Sequence, residues 1–406
     1  MKKSIMQKYA RLAVRKGINV QKGQGVQINV APEQYEFARM CVREAYRAGA
    51  AWVTVEWRDQ TAEKYAFKYQ TVKRLSTVEK WKQEKLAYLG KELPCRLHIL
   101  SEDPDGMKGV NPEKVTKVQR AQWPFIQPYR KEIEGRHQWC IVGVPGPEWA
   151  KKVFPDMKKQ AAVNALWEAI LTTARVDDDP EAAWDKHNAE LQSHADRLNE
   201  LQLESLHIQS ELGTDLTIGL MENGIWMGGG EYTDKGVYFN PNMPTEEVFT
   251  TPRSGCVEGV AVASKPLSCR GKLIENFSVT FKDGRAVAHS AEVGDEALEQ
   301  IISADEGSAR LGEVALVPVS SPINRSGVLF YNTLYDENAA CHLALGFGFD
   351  NAVKGSESMD YDQITAAGVN RSMMHVDFMI GTPGTKITGK GKNGETVIFE
   401  NGEWAI

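Results

Sequence analysis

At 406 residues the chain exceeds the size at which a single hydrophobic core keeps growing, so at least two domains are expected. A composition that is 42% apolar and 25% charged excludes extended disorder. The formal net charge of -6 opposes a broad phosphate-binding surface, and with it a nucleic-acid partner.

The basic N-terminus, MKKSIMQKYARLAVRKG, has neither the apolar core nor the small-residue cleavage pattern of a secretory signal and reads as an ordinary first helix. No stretch approaches the roughly 18 consecutive apolar residues of a membrane span. Six cysteines without a CxxC pair argue for reduced thiols, not a disulfide scaffold or thiolate zinc knot, and for a cytoplasmic setting.

A helix near Ile5 to Lys16 leads to the strand pattern GVQINV, Gly25 to Val30. Pro32 and Glu33 open a second helix reaching about Ala48, and WVTVEW follows from Trp52 to Trp57. RLHIL at Arg96 to Leu100 and WCIVGVP at Trp139 to Pro145 are further strands, with an amphipathic segment from about Glu113 to Lys131 between them. β-branched runs separated by helices predict a three-layer α/β domain on a mainly parallel sheet over residues 1–190.

Asp177, Asp178 and Asp179 precede Pro180, a pattern suited to the exposed amides and positive end of a helix start. The helical period is read through to Ile208, so this helix is expected to connect the domains. Its histidines, His187, His194 and His207, are interleaved with Leu191, Leu198, Leu201 and Leu203 and read as packing or solvent residues, not a metal row.

Beyond Glu211 the texture becomes β-rich: TDLTIGL, the Gly228 to Gly230 turn, a DG hairpin signal at Asp283 and Gly284, EVALVPV, HVDFMI and a closing hairpin at GKGKNGETVIFENGEWAI. Residues 191–406, including the connecting helix, are expected to form a β-rich α+β domain.

Several motifs are weak. Gly143 and Gly146 do not make GxGxxG, and Pro145 and Pro147 remove amides that a phosphate nest would use. No GxSxG elbow singles out Ser254 or Ser326. Cys256 and Cys341 lie near polar groups, but a reactive thiol needs exposure and a depressed pKa. Trp52, Trp57, Trp139 and Trp226 sit in strand-like sequence and read as core or interface.

The sharper signal is four segments that each set an ionisable side chain in an apolar or turn-rich frame. They are NPNMPTEEVFTTP with Glu246 and Glu247, SARLGEVALVP with Glu313, NTLYDENAACHLALG with Glu337 and His342, and NRSMMHVDFMIGT with His375 and Asp377. On a strand, His375 and Asp377 share a face while Val376 and Phe378 pack behind it. Glu246 and Glu247 point to opposite faces of a strand, so one of them enters the site. Gly312 allows a close backbone approach before Glu313. Glu337 and His342, five residues apart, do not make the geometry of HExxH; Glu337 is placed in a loop or first turn with His342 one turn further along.

Together these segments resemble the M29 family of metallo-aminopeptidases, which includes aminopeptidases T and S, with a likeness reaching across essentially the whole chain. The resemblance implies an N-terminal α/β domain, a C-terminal metallopeptidase domain and a homodimer. It implies metal ligands at Glu247, Glu313, Glu337, His342, His375 and Asp377, and two divalent ions per chain, with zinc, cobalt or manganese suited to the donors.

The expected reaction is release of the first residue from peptides with free N-termini by attack of activated water, with Glu313 at its centre. Tyr335 and Arg253 are secondary candidates for contacting oxyanion or substrate. Competing readings are another two-metal amidohydrolase or phosphohydrolase, and a non-catalytic metal- or small-molecule-binding protein.

Overall fold

The computed structural model describes residues 1–269, 271–392 and 394–406. It divides into two compact units, one of residues 1–184 with 230–244, the other of 185–229 with 245–406.

The first unit is built on parallel strands β1 (Gly25–Val30), β2 (Trp52–Trp57), β3 (Cys95–Leu100) and β4 (Trp139–Gly143). Val26, Ile28, Leu97, Ile99 and Val142 are buried, one apolar row generated by the period-2 alternation of strands. The helices Lys3–Leu12 and Tyr35–Ala48 bury Tyr9, Leu12, Phe37 and Cys41; Phe37 packs its ring 5.5 Å from that of Tyr9 and 6.1 Å from that of Trp167. The segment expected to be amphipathic is a helix at Pro112–Ile133, started by Asn111, whose side chain accepts the Glu113 and Lys114 amides. The PGPEW stretch is a strand-to-helix turn: β4 ends at Gly143 and a helix begins at Pro147.

The helix at Pro180 ends at Leu201, not at Ile208 as its period suggested. Gln202 takes a positive φ of 50°, and β5 (Leu203–Gln209) follows with alternating burial. LESLHIQ satisfies a short strand as well as a helical face, and its pairing with neighbouring strands decides between them. β6 (Asp215–Leu220) and β7 (Met227–Gly228) come next. The chain then returns to the first unit through the hairpin β8 (Glu231–Tyr232) and β9 (Tyr238–Phe239) and places β10 (Asn242–Met243) parallel beside β4. No composition signal marks this return, because β10 is only two residues long.

The second unit contains two antiparallel sheets. β11 (Val248–Thr250), β16 (Leu311–Leu316), β17 (His342–Gly346) and β18 (His375–Met379) form, with β7, a sheet in the order β18-β17-β16-β11-β7. Between β11 and β16 in the chain come β12 (Pro252–Val262), β13 (Leu267–Cys269), β14 (Lys272–Lys282) and β15 (Arg285–Val293). They belong to a nine-stranded sheet that also takes β5, β6, β19 (Lys386–Gly391), β20 (Gly394–Glu400) and β21 (Glu403–Trp404). The expected β14–β15 hairpin turns at Asp283 and Gly284, both at positive φ of 52° and 71°, as a two-residue DG turn requires. The main hydrophobic core of this unit includes Leu206, Ile218, Val279, Leu298, Leu343 and Phe378, and a smaller cluster gathers Met221, Val353, Ile364 and Val369. Among the described residues no helix is long and apolar enough to cross a membrane.

Candidate metal centre

Strand periodicity explains how the second unit separates its donors from its core. Val248, Val314, Leu316, Leu343, Leu345, Val376 and Phe378 all enter the hydrophobic core, so the intervening residues of β11, β16, β17 and β18 face the other way. Across three strands the register aligns Glu313 with Ala344 and Ala344 with Asp377. Ala344 leaves only a methyl group between the two acids. His342 lies two residues before Ala344, and His375 two before Asp377, so both imidazoles join that face. Glu247 precedes β11 and alternates with Phe249, which is opposite Ala315. Gly312 is required where it stands: a Cβ there would lie 2.1 Å from the Phe347 carbonyl oxygen, and the β16–β17 register shifts between Leu311 and Glu313.

Two donor groups result, Glu247, Glu313 and His342 in one, Glu313, His375 and Asp377 in the other; within each group the donor atoms lie within 4.8 Å of one another. Glu313 belongs to both. His342 Nε2 is 3.1 Å from Glu247 Oε2. His375 Nε2 is 3.1 Å from Glu313 Oε2 and 3.2 Å from Asp377 Oδ1. Each imidazole is turned by its other nitrogen: His342 Nδ1–H donates to the Ala340 carbonyl at 3.1 Å and His375 Nδ1–H to the Phe347 carbonyl at 2.8 Å. A backbone acceptor on Nδ1 leaves the Nε2 lone pair of the neutral ring for a cation.

The electrostatics show a site that lacks positive charge. Burial pushes the Glu313 carboxyl up to about 7 despite its hydrogen bond to His375, and Glu247 and Asp377 add to the rise. Glu337 is raised well above the carboxylate range by burial, then by Asp377, Glu247 and Glu313. Burial works to lower His342, but the hydrogen bond and charge of Glu247 prevail and carry it to about 9. His375 is likewise raised against its burial, by Asp377 and Glu313. Asp377 Oδ1 is sealed from solvent and, although His375 Nε2 lies 3.2 Å away, makes no well-aligned hydrogen bond. Carboxylates that repel, imidazoles turned to present Nε2 and an orphaned buried oxygen together fit divalent cations.

Glu337 begins a short 3-10 turn, Glu337–Ala339, the loop position expected of it. His342 is not one helical turn further on: it opens β17, because CHLALG is apolar at successive positions and is taken into the sheet. Glu337 is outside both donor groups, but its charge acts on the same carboxylates. Of the adjacent acids, Glu247 joins a donor group while Glu246 Oε2 lies 3.8 Å from His187 Nε2. His194 stacks on Trp404 at 4.2 Å and His207 Nε2 is 2.6 Å from Asp215, so neither enters the centre. Tyr335 is fully buried, its ring stacked 4.6 Å from Phe330; Arg253 is exposed. Cys341 is buried and its thiol, pushed up to about 12 mainly by burial, donates to the Val317 carbonyl, which removes it as a nucleophile.

Sequence reasoning missed Asn338. Completely buried, its side chain accepts the Glu246 amide at 2.7 Å and donates to the Leu334 carbonyl at 3.1 Å and to Glu337 Oε1 at 3.4 Å. It ties the segment bearing Glu247 to the turn bearing Glu337. Its place between two proposed ligands in DENAACH was the available signal.

Residues 2–404 match the profile of a family described as thermophilic metalloprotease (M29). The chain belongs to the M29 family. It is 41% identical to the aminopeptidase AmpS of Bacillus subtilis over 98% of both chains, and 41% identical to the aminopeptidase PepS of Streptococcus thermophilus over 100% of this chain and 98% of that one. The solved structure of wild-type AmpT from Thermus thermophilus is similar over 100% of both chains, with a TM-score of 0.91 at 38% identity. The M29 assignment covers both units, and the paired donor groups are what a metal-dependent member of it requires.

Proposed function

We infer that the chain is a divalent-metal-dependent aminopeptidase that releases N-terminal residues from peptides. The observation carrying this reading is Glu313, one carboxylate common to two donor groups, an arrangement that would suit a pair of divalent ions of the kind hydrolytic centres use. In this reading Glu247, Glu313 and His342 hold one ion, Glu313, His375 and Asp377 the other, and Glu337 is the sixth ligand. Bound ions of the zinc, cobalt or manganese class supply Lewis acidity, lowering the pKa of water and polarising the scissile carbonyl.

The side chains of the chain supply the rest. His342 and His375 keep Nε2 aimed at the centre through their Nδ1 bonds, and the apolar row behind the strands keeps the acids from turning away. Glu313, common to both donor groups, is the proposed catalytic carboxylate. Tyr335, packed beneath the turn that carries Glu337, is the weaker catalytic candidate, because complete burial separates its hydroxyl from substrate. Recognition of a free N-terminus, residence in the cytoplasm and assembly as a homodimer belong to the same proposal, supported by family membership.

The test is turnover by the metal-loaded protein of matched free and N-acetylated peptides, followed by mass spectrometry. Stepwise loss of N-terminal residues from free peptides alone is expected. Equal cleavage of acetylated peptides, or turnover only of phosphoesters, would overturn the reading.

A further inference from the structure

The parallel sheet of the first unit has two unlike faces. Val26, Ile28, Leu97 and Ile99 make one apolar. Alternation puts Gln27, Asn29, Arg96 and His98 on the other, where the register sets Gln27 beside Arg96 and Asn29 beside His98. Strands of a parallel sheet are ordinarily apolar on both faces, so four polar side chains on two adjacent inner strands call for a chemical reason.

Their hydrogen bonding narrows it. Gln27 and Asn29 are 7% and 6% exposed, yet among the described residues neither side-chain amide has a protein partner. Arg96 Nε is sealed from solvent, also without a partner. A buried donor left unsatisfied costs about 1–3 kcal/mol, more when it is charged; Arg96 Nε is such a donor, and with the Gln27 and Asn29 amides beside it the face is suited to receive acceptors.

The charge pattern gives the sign. His98 is depressed to about 4, first by burial and then by the positive charge of Arg58 and Arg96 and the proximity of His137 and Arg130. His137 is depressed to about 4 by burial and Arg96. None of these five residues forms an ion pair among the described residues, and Glu56, the acid in register with Asn29, is held by Lys85 Nζ at 2.6 Å. Cationic groups gathered without a counter-charge repel one another unless an anion joins them.

We infer that this face binds a small oxyanion of the sulfate or phosphate class, with Arg96 as its principal donor, Gln27, Asn29 and His98 as its floor, and Arg58 and Arg130 as exposed cationic contributors. The guanidinium fork suits a tetrahedral oxyanion in two-point contact. The site lies wholly in the first unit and uses no residue of the metal centre, so it stands whether or not the chain proves to be an aminopeptidase.

The probe is inorganic sulfate, titrated calorimetrically into the metal-loaded protein against sodium chloride at equal ionic strength, which removes screening, and at low sulfate concentration, below the range where its exclusion from protein surfaces stabilises any fold. A saturable heat is expected, with a matching sulfate-dependent rise in unfolding temperature. Arg96→Gln should weaken binding at least about tenfold, as loss of a charge-assisted hydrogen bond does. Because Arg96 is partly buried, the paired exposed changes Arg58→Gln and Arg130→Gln give a second measure, a loss of about threefold. Glu313→Gln, which alters only the metal centre, should leave sulfate binding unchanged. Absence of saturable binding, equal binding by folded Arg96→Gln protein, or loss in Glu313→Gln with retention in Arg96→Gln would each overturn the proposal.

Discussion

The second unit sets histidine beside two carboxylates in two environments. In the five-stranded sheet, β16 and β17 are buried along their whole length, and the carboxylates of Glu313 and Asp377, beside the partly exposed His375, are buried. In the nine-stranded sheet, β15 is mostly solvent-facing; there His289 Nδ1 is 3.0 Å from Asp295 and Nε2 is 2.6 Å from Glu299. At His289 both ring nitrogens are consumed by surface acids, so the cluster is a complete ion pair. At His375 one nitrogen is consumed by a backbone carbonyl and the other faces several buried acids, so the cluster still needs a cation. Burial of the carboxylates and the acceptor on Nδ1, not residue type, separate a metal centre from a surface latch.

The largest expected effect comes from breaking the shared donor. Glu313→Gln should abolish measurable peptide turnover and reduce bound metal below two ions per chain, checked by elemental analysis of folded protein; two retained ions with full activity would remove Glu313 from the centre. Metal removal comes next. Chelation should lower the unfolding temperature of the second unit by several degrees, since a ligand at about 100 times its Kd contributes roughly 2.7 kcal/mol, worth about 2–4 °C per kcal/mol in a cooperative unit of roughly 200 residues such as residues 185–229 with 245–406. Zinc, cobalt or manganese should restore it, as followed by scanning calorimetry. Chelating His289→Ala protein should give the same drop, because that cluster needs no ion.

Asn338→Ala sharpens the comparison within the centre. It should weaken divalent-metal affinity about 10- to 100-fold, the usual consequence of losing an orienting partner, measured by competition with a chromogenic chelator; unchanged affinity would reduce Asn338 to a packing residue. The smallest effect belongs to the surface cluster. Burial works to lower His289, but Glu299 and Asp295 raise it above its ordinary value. Its contribution is therefore fully present below about pH 6.5 and is lost as pH rises through the raised folded pKa. His289→Ala should cost at most about 1 kcal/mol, most at low pH, and denaturant titrations at pH 6 and pH 9 should show the wild-type advantage shrink at the higher pH.

Much of this was readable in the residues. HVDF fixes its two donors on one face because a strand alternates, and Val376 and Phe378 enter the core as that alternation demands. GEVAL carries its own reason for Gly312. Two readings failed where local pattern permits more than one answer: LESLHI serves helix or strand, and CHLALG shows no period at all. Asn338 escaped notice because an asparagine beside a glutamate has no distinctive spacing.

The sequence by itself determined most of the element types and the alternation that sends apolar residues to one side, and the family resemblance named the candidate donors. Only the tertiary structure decided that Glu313 is shared, that Ala344 spaces it from Asp377, that Glu247 and not Glu246 joins a donor group, and that the chain returns to the first unit to lay down β10. The physical reason is range: alternation is set by neighbours along the chain, whereas register, sharing and orphaned charge depend on residues far apart in sequence that only sheet pairing brings together.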